Sequence, residues 1–189
     1  EFEMTLNWFD FQRVKDGRNY YHSIELEKEP NFIIASAPAL PHINRSIIIP
    51  DLNGTNLIVK NVETKTMTDM EILPSKGNIP RNIDTSVIPY QKGSIYANNQ
   101  LFPVNQAELM DPYILRDFRG QVIQLNPFQY NPVTKELLVH HKMIVEIQFE
   151  GEKRVNQFHN RSSKTKVTLD FHNIYSNQFL NYNVNNSRY

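Results

Sequence analysis

Cysteine is absent from the 189 residues. That absence excludes thiol catalysis, disulfide bonds and Cys-based zinc or iron–sulfur sites. It does not fix the compartment, because many exported proteins do without disulfides. An excess of charge is missing too: 20 Lys and Arg balance 20 Asp and Glu, for a formal net charge of zero. With no surplus of basic residues to neutralise a phosphate backbone, nucleic acid is not indicated as a partner. Long hydrophobic runs are lacking. Ile47-Ile48-Ile49 is typical of what exists, far short of the roughly 20 apolar residues that span a bilayer, so no membrane partner is indicated. Glycine numbers only six, and Gly77 and Gly93 stand alone, so no phosphate-cradling loop and no nucleophile elbow can be drawn. There is no signal peptide, and the chain opens at Glu1-Phe2-Glu3 without methionine, as a processed product does.

The six histidines, His22, His42, His140, His141, His159 and His172, form no metal-binding spacing. There is no HExxH and no carboxylate-rich calcium loop. His140 and His141 are neighbours on a strand-like run, so they point to opposite faces. Asp111, Arg116 and Asp117 cluster, and a solvated strand edge accounts for them. No catalytic constellation, no metal and no cofactor is expected.

What is present is period-two alternation. From Leu137 to Phe149 the odd positions read Leu, Val, His, Met, Val, Ile, Phe, a half-buried strand. Tyr20, Ile24 and Leu26 alternate with Tyr21, Ser23, Glu25 and Glu27. Met4, Leu6 and Trp8 give way to Phe9 and Phe11 in the other phase, as a β-bulge would require. Asp16-Gly17 supplies the positive φ of a tight hairpin turn; Asn53-Gly54 and Arg119-Gly120 are read the same way, and Asn131-Pro132 opens a further turn. Strands joined at this spacing predict an all-β fold, an antiparallel β-sandwich of jelly-roll type in one domain. Asp170 is placed to cap a short C-terminal helix on which Phe171, Ile174, Tyr175, Gln178 and Phe179 share a side. The sandwich is expected over 1–182, followed by an exposed tail over 183–189.

Two arginines gain interest from where they lie. Pro74 to Pro89 holds three prolines, a glycine and no long alternation, a loop of about sixteen residues, a length found in functional or disordered connections. Its middle reads Ile79-Pro80-Arg81-Asn82-Ile83. Pro80 fixes its own φ and drives Ile79 towards an extended backbone. An arginine offered on such a loop suits a pocket with a buried carboxylate, which pairs with the guanidinium fork; a solvated loop arginine is the plainer alternative. Arg188, next to Tyr189 in the tail, sits where a processing peptidase cuts flexible chain.

The run Asp111-Pro-Tyr-Ile-Leu-Arg-Asp-Phe-Arg-Gly-Gln-Val122, with Pro127-Phe-Gln-Tyr-Asn-Pro-Val-Thr-Lys135 after it, closely resembles the prodomain of the arginine-specific gingipains, which are secreted, caspase-like cysteine peptidases. Pro38-Ala39-Leu40-Pro41, Ser75-Lys76-Gly77 with Arg81 and Ile88-Pro89-Tyr90, and Ile174 to Tyr182 extend the similarity over nearly the whole chain. The resemblance implies a non-catalytic prodomain whose partner is the catalytic domain of its own cysteine peptidase, whose folding it assists and whose cleft it blocks. It implies that Arg81 fills the S1 pocket from the non-primed side, and that the processing cut follows Arg188, leaving Tyr189 as the first mature residue. It also implies secretion, through the periplasm to the cell surface or beyond. A rival reading is a carbohydrate-binding or adhesion module with Trp8, Tyr20 and Tyr21 as a stacking platform. Filling the sandwich core or pairing across strands is the simpler use for these three.

Overall fold

The computed structural model describes residues 1–152, 155–159 and 167–183. Ten strands and one α-helix are found among them: β1 (Phe2–Thr5), β2 (Asp10–Asp16), β3 (Asn19–Glu25), β4 (Ile43–Ile48), β5 (Asn53–Met67), β6 (Ala107–Leu109), β7 (Tyr113–Leu115), β8 (Phe118–Leu125), β9 (Phe128–Asn131), β10 (Glu136–Glu152) and α1 (Leu169–Gln178). One antiparallel sheet runs β1-β10-β5, with β9 also pairing with β10. A second runs β4-β8-β6, with β7 pairing with β8. β2 and β3 form a separate hairpin. The expected all-β sandwich with a short C-terminal helix is what the chain forms.

The two sheets meet through the residues the alternation places inward. Leu137, Val139, Met143 and Val145 of β10 face Ile43 and Ile47 of β4 and Ile123 and Leu125 of β8 in one buried cluster, together with Ile24, Leu40, Ile72, Phe128 and Tyr130. Removing such side chains from water is the main stabilising contribution, about 1.5–3 kcal/mol for each large one. The alternation in β10 is not perfect. Register shifts occur between His140 and Lys142 and between Ile144 and Val145, and His140, on the expected polar side, is buried. Its Nε2–H donates to Gln129 Oε1 and its Nδ1 accepts from Thr64 Oγ1, each at 2.8 Å. Gln129 Nε2 is engaged by the Pro103 and Val104 carbonyls, which fixes the amide's orientation and hence the imidazole tautomer.

The turn expectations divide. Asp16-Gly17 makes the β2–β3 hairpin, with Gly17 at φ +58°. Asn131 closes its turn by accepting the Val133 and Thr134 amides on Oδ1. Asn53-Gly54, however, opens β5, and Arg119-Gly120 lies inside β8; the turn there is at Arg116-Asp117, with Arg116 at φ +48°. Gly120 is needed for space instead. A Cβ on it would stand 2.6 Å from Phe179 and 2.8 Å from Tyr113 ring carbons, and those two rings stack across it. Arg119 is fully buried, donating to the Pro50, Asn53 and Val155 carbonyls. The expected bulge near Trp8 is a break between β1 and β2, which belong to different sheets.

α1 closes the end of the second sheet. Ile48, Phe118, Tyr175 and Phe179 form a second buried cluster. Thr168, not Asp170, is the N-cap residue, and Asp170 lies in the first turn, where its charge suits the helix dipole. Of the expected face, Tyr175 and Phe179 are buried, while Ile174 is exposed. Asp117 accepts the Tyr175 hydroxyl at 2.6 Å and Arg116 lies 3.8 Å over the Phe171 ring. The cluster of Asp117 and Arg116 is thus a helix anchor rather than a solvated strand edge.

Candidate functional site

The long proline-punctuated stretch leaves the sandwich at Pro74 and returns at Gly93. Its two ends are tied to the same residue. The Ser36 amide donates to the Ser75 carbonyl at 2.8 Å, and the Ser36 carbonyl accepts from the Gly93 amide at 2.8 Å. Ser75 also donates to the Ala37 carbonyl at 2.7 Å, and Ala39 to Leu73 at 2.9 Å. Two glycines allow both limbs to lie this close. A Cβ on Gly77 would come within 2.9 Å of Ala35 Cβ, and Gly77 holds φ +79°; a Cβ on Gly93 would come within 3.0 Å of Ser36 Cβ. Ser36 itself takes φ +64°.

Within the loop, polar contacts span the two limbs. Lys76 Nζ donates to the Thr85 carbonyl at 2.8 Å and lies 4.1 Å over the Tyr90 ring. Asp84 Oδ1 accepts the Ser86 amide at 2.8 Å, which starts the 3-10 turn Thr85–Val87. At the tip, the Ile83 amide donates to the Pro80 carbonyl at 3.0 Å, so the expected extended run is a closed turn with Arg81 and Asn82 at its centre. Arg81 is exposed and has no hydrogen bond or ion pair among the described residues. Its positive charge stands on a braced tip with no partner among the described residues.

The support beneath the loop is ionic and aromatic. Glu71 pairs with Lys92, on the returning limb, and with Lys135 at 3.1 Å. Burial pushes the Glu71 carboxyl up, but its bonds to the two ammonium groups outweigh that and hold it below the usual carboxylate range. Lys92 also lies over the Tyr21 and Tyr96 rings, and Tyr96 donates to the Ile72 carbonyl at 2.8 Å. The β2–β3 hairpin is stitched to the same segment: His22 N–H donates to Glu71 O, Leu73 N–H to His22 O, and Glu71 N–H to His22 Nδ1 at 3.2 Å. Burial and the nearby Arg13 lower the His22 pKa, which keeps that nitrogen an acceptor. None of this support is visible in the sequence alone. The residues are ordinary charged and aromatic side chains from four separate stretches, and only the fold brings them together.

The three aromatics weighed as a sugar platform separate. Tyr21 is buried, while Trp8 and Tyr20 are 64% and 46% exposed, so two of them do not fill the core. One Tyr20 face is covered by the Arg13 guanidinium at 4.1 Å. Arg188 and Tyr189 lie outside the described residues. Just before them the chain is firmly docked: Leu180 N–H donates to Ser46 O at 2.9 Å, and Asn181 exchanges two hydrogen bonds with the Ile48 backbone at 2.7 and 2.8 Å. Among the described residues no group of three or more His, Cys, Asp or Glu is placed to hold a metal, and no helix is long and apolar enough to cross a membrane.

Residues 1–188 match the family model Propeptide_C25. Gingipain R1 of Porphyromonas gingivalis is 38% identical over 145 residues, covering 77% of this chain and 14% of that protein. Gingipain R2 of the same species is 36% identical over 145 residues, again 77% of this chain and 19% of the relative. The chain therefore spans less than a fifth of the length of these relatives. Among solved structures, the complex of the P. gingivalis RgpB pro- and mature domains superposes with a TM-score of 0.84 at 31% identity, covering 96% of this chain and 91% of that one. A structure bearing on zymogenic latency of gingipain K from P. gingivalis superposes with a TM-score of 0.65 at 17% identity, covering 79% and 85%, and shares the fold.

Proposed function

This chain belongs to the Propeptide_C25 family, and from that premise we propose that it keeps a secreted, arginine-specific cysteine peptidase latent by placing Arg81 in the enzyme's S1 pocket. The domain is the non-catalytic part of a zymogen and assists the folding of its peptidase. The observation that carries the reading is the tip itself, an exposed guanidinium with no partner among the described residues, on a loop whose two ends share one anchoring residue. Ordering a loop on binding costs entropy, and a loop already braced has little left to lose. Within a zymogen the contact is intramolecular, so a high effective concentration supports even a modest interface. Ile83 and Val87 on the loop, and Ile33 and Ile34 beside its root, are exposed. Apolar contacts of that kind exclude water from an interface hot spot.

Truncating a desolvated interface arginine costs roughly 2–4 kcal/mol. Arg81→Ala is therefore expected to raise the inhibition constant about 30-fold to 1000-fold, and Arg81→Lys to raise it less, since a point charge replaces part of what the fork provides. The assay adds the purified chain and its variants to arginine-specific and lysine-specific gingipains. Unchanged inhibition by a folded Arg81→Ala variant removes the pocket mechanism. For maturation, a cut after Arg188 is proposed, following transit through the periplasm to the cell surface or medium. Arg188→Ala should leave no mature chain beginning at Tyr189, which amino-terminal sequencing checks. A sugar-binding role draws on exposed Trp8, but the capped face of Tyr20 counts against a stacking platform.

A further inference from the structure

His22 of β3 is tied to the segment before the loop in three places, and one of them depends on its charge. The His22 N–H donates to Glu71 O at 2.6 Å and the His22 carbonyl accepts from Leu73 N–H at 3.0 Å, a parallel bridge with Ile72 between them. The ring makes the third tie, with Nδ1 accepting the Glu71 amide at 3.2 Å. Phe11 lies against the imidazole at 5.0 Å and 14° and fixes its plane. A neutral imidazole has one ring nitrogen free to accept. Here that nitrogen is Nδ1, and the proton is on Nε2. Protonation turns Nδ1 into a donor, so two N–H groups then face each other where a hydrogen bond had been.

The surroundings resist the charged form. Burial opposes it first, and Arg13, directly across the hairpin from His22, opposes it as a like charge. Glu71 is the carboxylate close enough to favour it, but Glu71 Oε1 is taken by Lys92 and Oε2 by Lys135. The imidazole is therefore held below its ordinary value of 6.5. A base lowered on folding adds a contribution that is fully present above its unfolded value and is lost as pH falls through the folded one. What is lost here sits at a junction, because Glu71 holds Lys92 on the returning limb and Leu73 leads into the outgoing limb. We propose that His22 is an acid-released latch at the root of the loop. As a neutral ring it fastens the 71–73 segment to the β2–β3 hairpin; as an imidazolium it lets go, and the domain's hold on its peptidase weakens in mild acid. The latch belongs to the chain alone, while its effect on the peptidase rests on the pocket reading above.

Two variants test this. His22→Asn keeps an acceptor near the place of Nδ1 and does not titrate. Arg13→Gln keeps the imidazole and removes the opposing charge. In an NMR titration of the purified chain from about pH 8 to about pH 5, a range in which histidine changes charge, the Glu71 amide should move with the midpoint of the His22 ring. Both midpoints should rise together in Arg13→Gln, and in His22→Asn the amide should stay still. Affinity for a mature arginine-specific gingipain is then measured over the same range. Dividing the parent's dissociation constant by that of His22→Asn at each pH cancels the titration of the enzyme and of the remaining histidines. The quotient should climb about 2-fold to 10-fold towards acid, the effect of one hydrogen bond. A Glu71 amide that ignores the His22 midpoint overturns the latch, and so does a flat quotient when Arg81→Ala weakens binding. If Arg81→Ala binds as tightly as the parent, the pocket reading falls and the amide titration alone decides the latch. Should His22→Asn fail to fold, Arg13→Gln replaces it, and its affinity should begin to drop at a higher pH than the parent's; an unmoved onset counts against the latch.

Discussion

Glu71, ten residues before Arg81, is the carboxylate that ties the root of the loop together. Its carboxylate holds Lys92 on the returning limb and Lys135 on the turn before β10, so the loop is fastened to the sandwich through one side chain. Glu71→Gln keeps the shape and removes the charge. A partly buried hydrogen bond of this kind contributes about 0.5–1.5 kcal/mol, so inhibition should weaken roughly 2-fold to 10-fold. The pH dependence has a definite sign. A carboxyl held below its unfolded value, near 4.3, adds stability that is fully present above that value and is lost as pH falls through the folded one. In unfolding titrations the parent should therefore exceed Glu71→Gln by a constant margin above about pH 5, and the margin should close as acid protonates Glu71. His22, His42 and His140 are each lowered by burial first, so their contributions also fade towards acid, in a higher window that both proteins share.

At the scale of elements, α1 is the piece whose attachment the sequence half reveals. The aromatic spacing from Phe171 to Phe179 marks a helix, and Tyr175 and Phe179 are buried. What the spacing could not tell is that Asp117, 58 residues before Tyr175, and its neighbour Arg116 hold the helix, because contacts of that separation leave no local period. The same limit explains Asn53-Gly54 and Arg119-Gly120. Both dipeptides carry turn chemistry, yet in Gly120 the missing side chain makes room for the Tyr113 and Phe179 rings, a tertiary requirement that resembles a turn signal in one dimension. The strands themselves were legible wherever one face is core and the other solvent, as in β10, and became ambiguous at its register shifts, where His140 turns inward to meet Gln129 and Thr64. Tyr175 is the element's central contact. Tyr175→Ala should cost about 3–5 kcal/mol, the range for removing a large buried aromatic, and Tyr175→Phe, which loses only the hydroxyl bonded to Asp117, about 1 kcal/mol. Urea unfolding with an unchanged slope checks both; equal costs for the two variants would show that packing of the ring contributes nothing.

For the whole molecule, the sandwich acts as a stiff mount. Its two sheets fix Ser36 and the 71–75 segment, those fix both limbs of the loop, and the loop presents one guanidinium group outward. The candidate tip was readable from sequence because prolines and a lack of alternation set it apart. Its bracing was not, since Ser36, Glu71, Lys92 and Tyr21 look unremarkable one by one. If Arg81 fills the S1 pocket as proposed, the domain and small arginine mimics compete for one site. The direct measurement is calorimetric titration of the chain into a mature arginine-specific gingipain at rising concentrations of benzamidine, a guanidinium-like S1 ligand. The apparent dissociation constant should climb in proportion to benzamidine once the pocket is filled, and Arg81→Ala should lose most of that dependence. An affinity of the parent chain that stays constant across the series would contradict the claim.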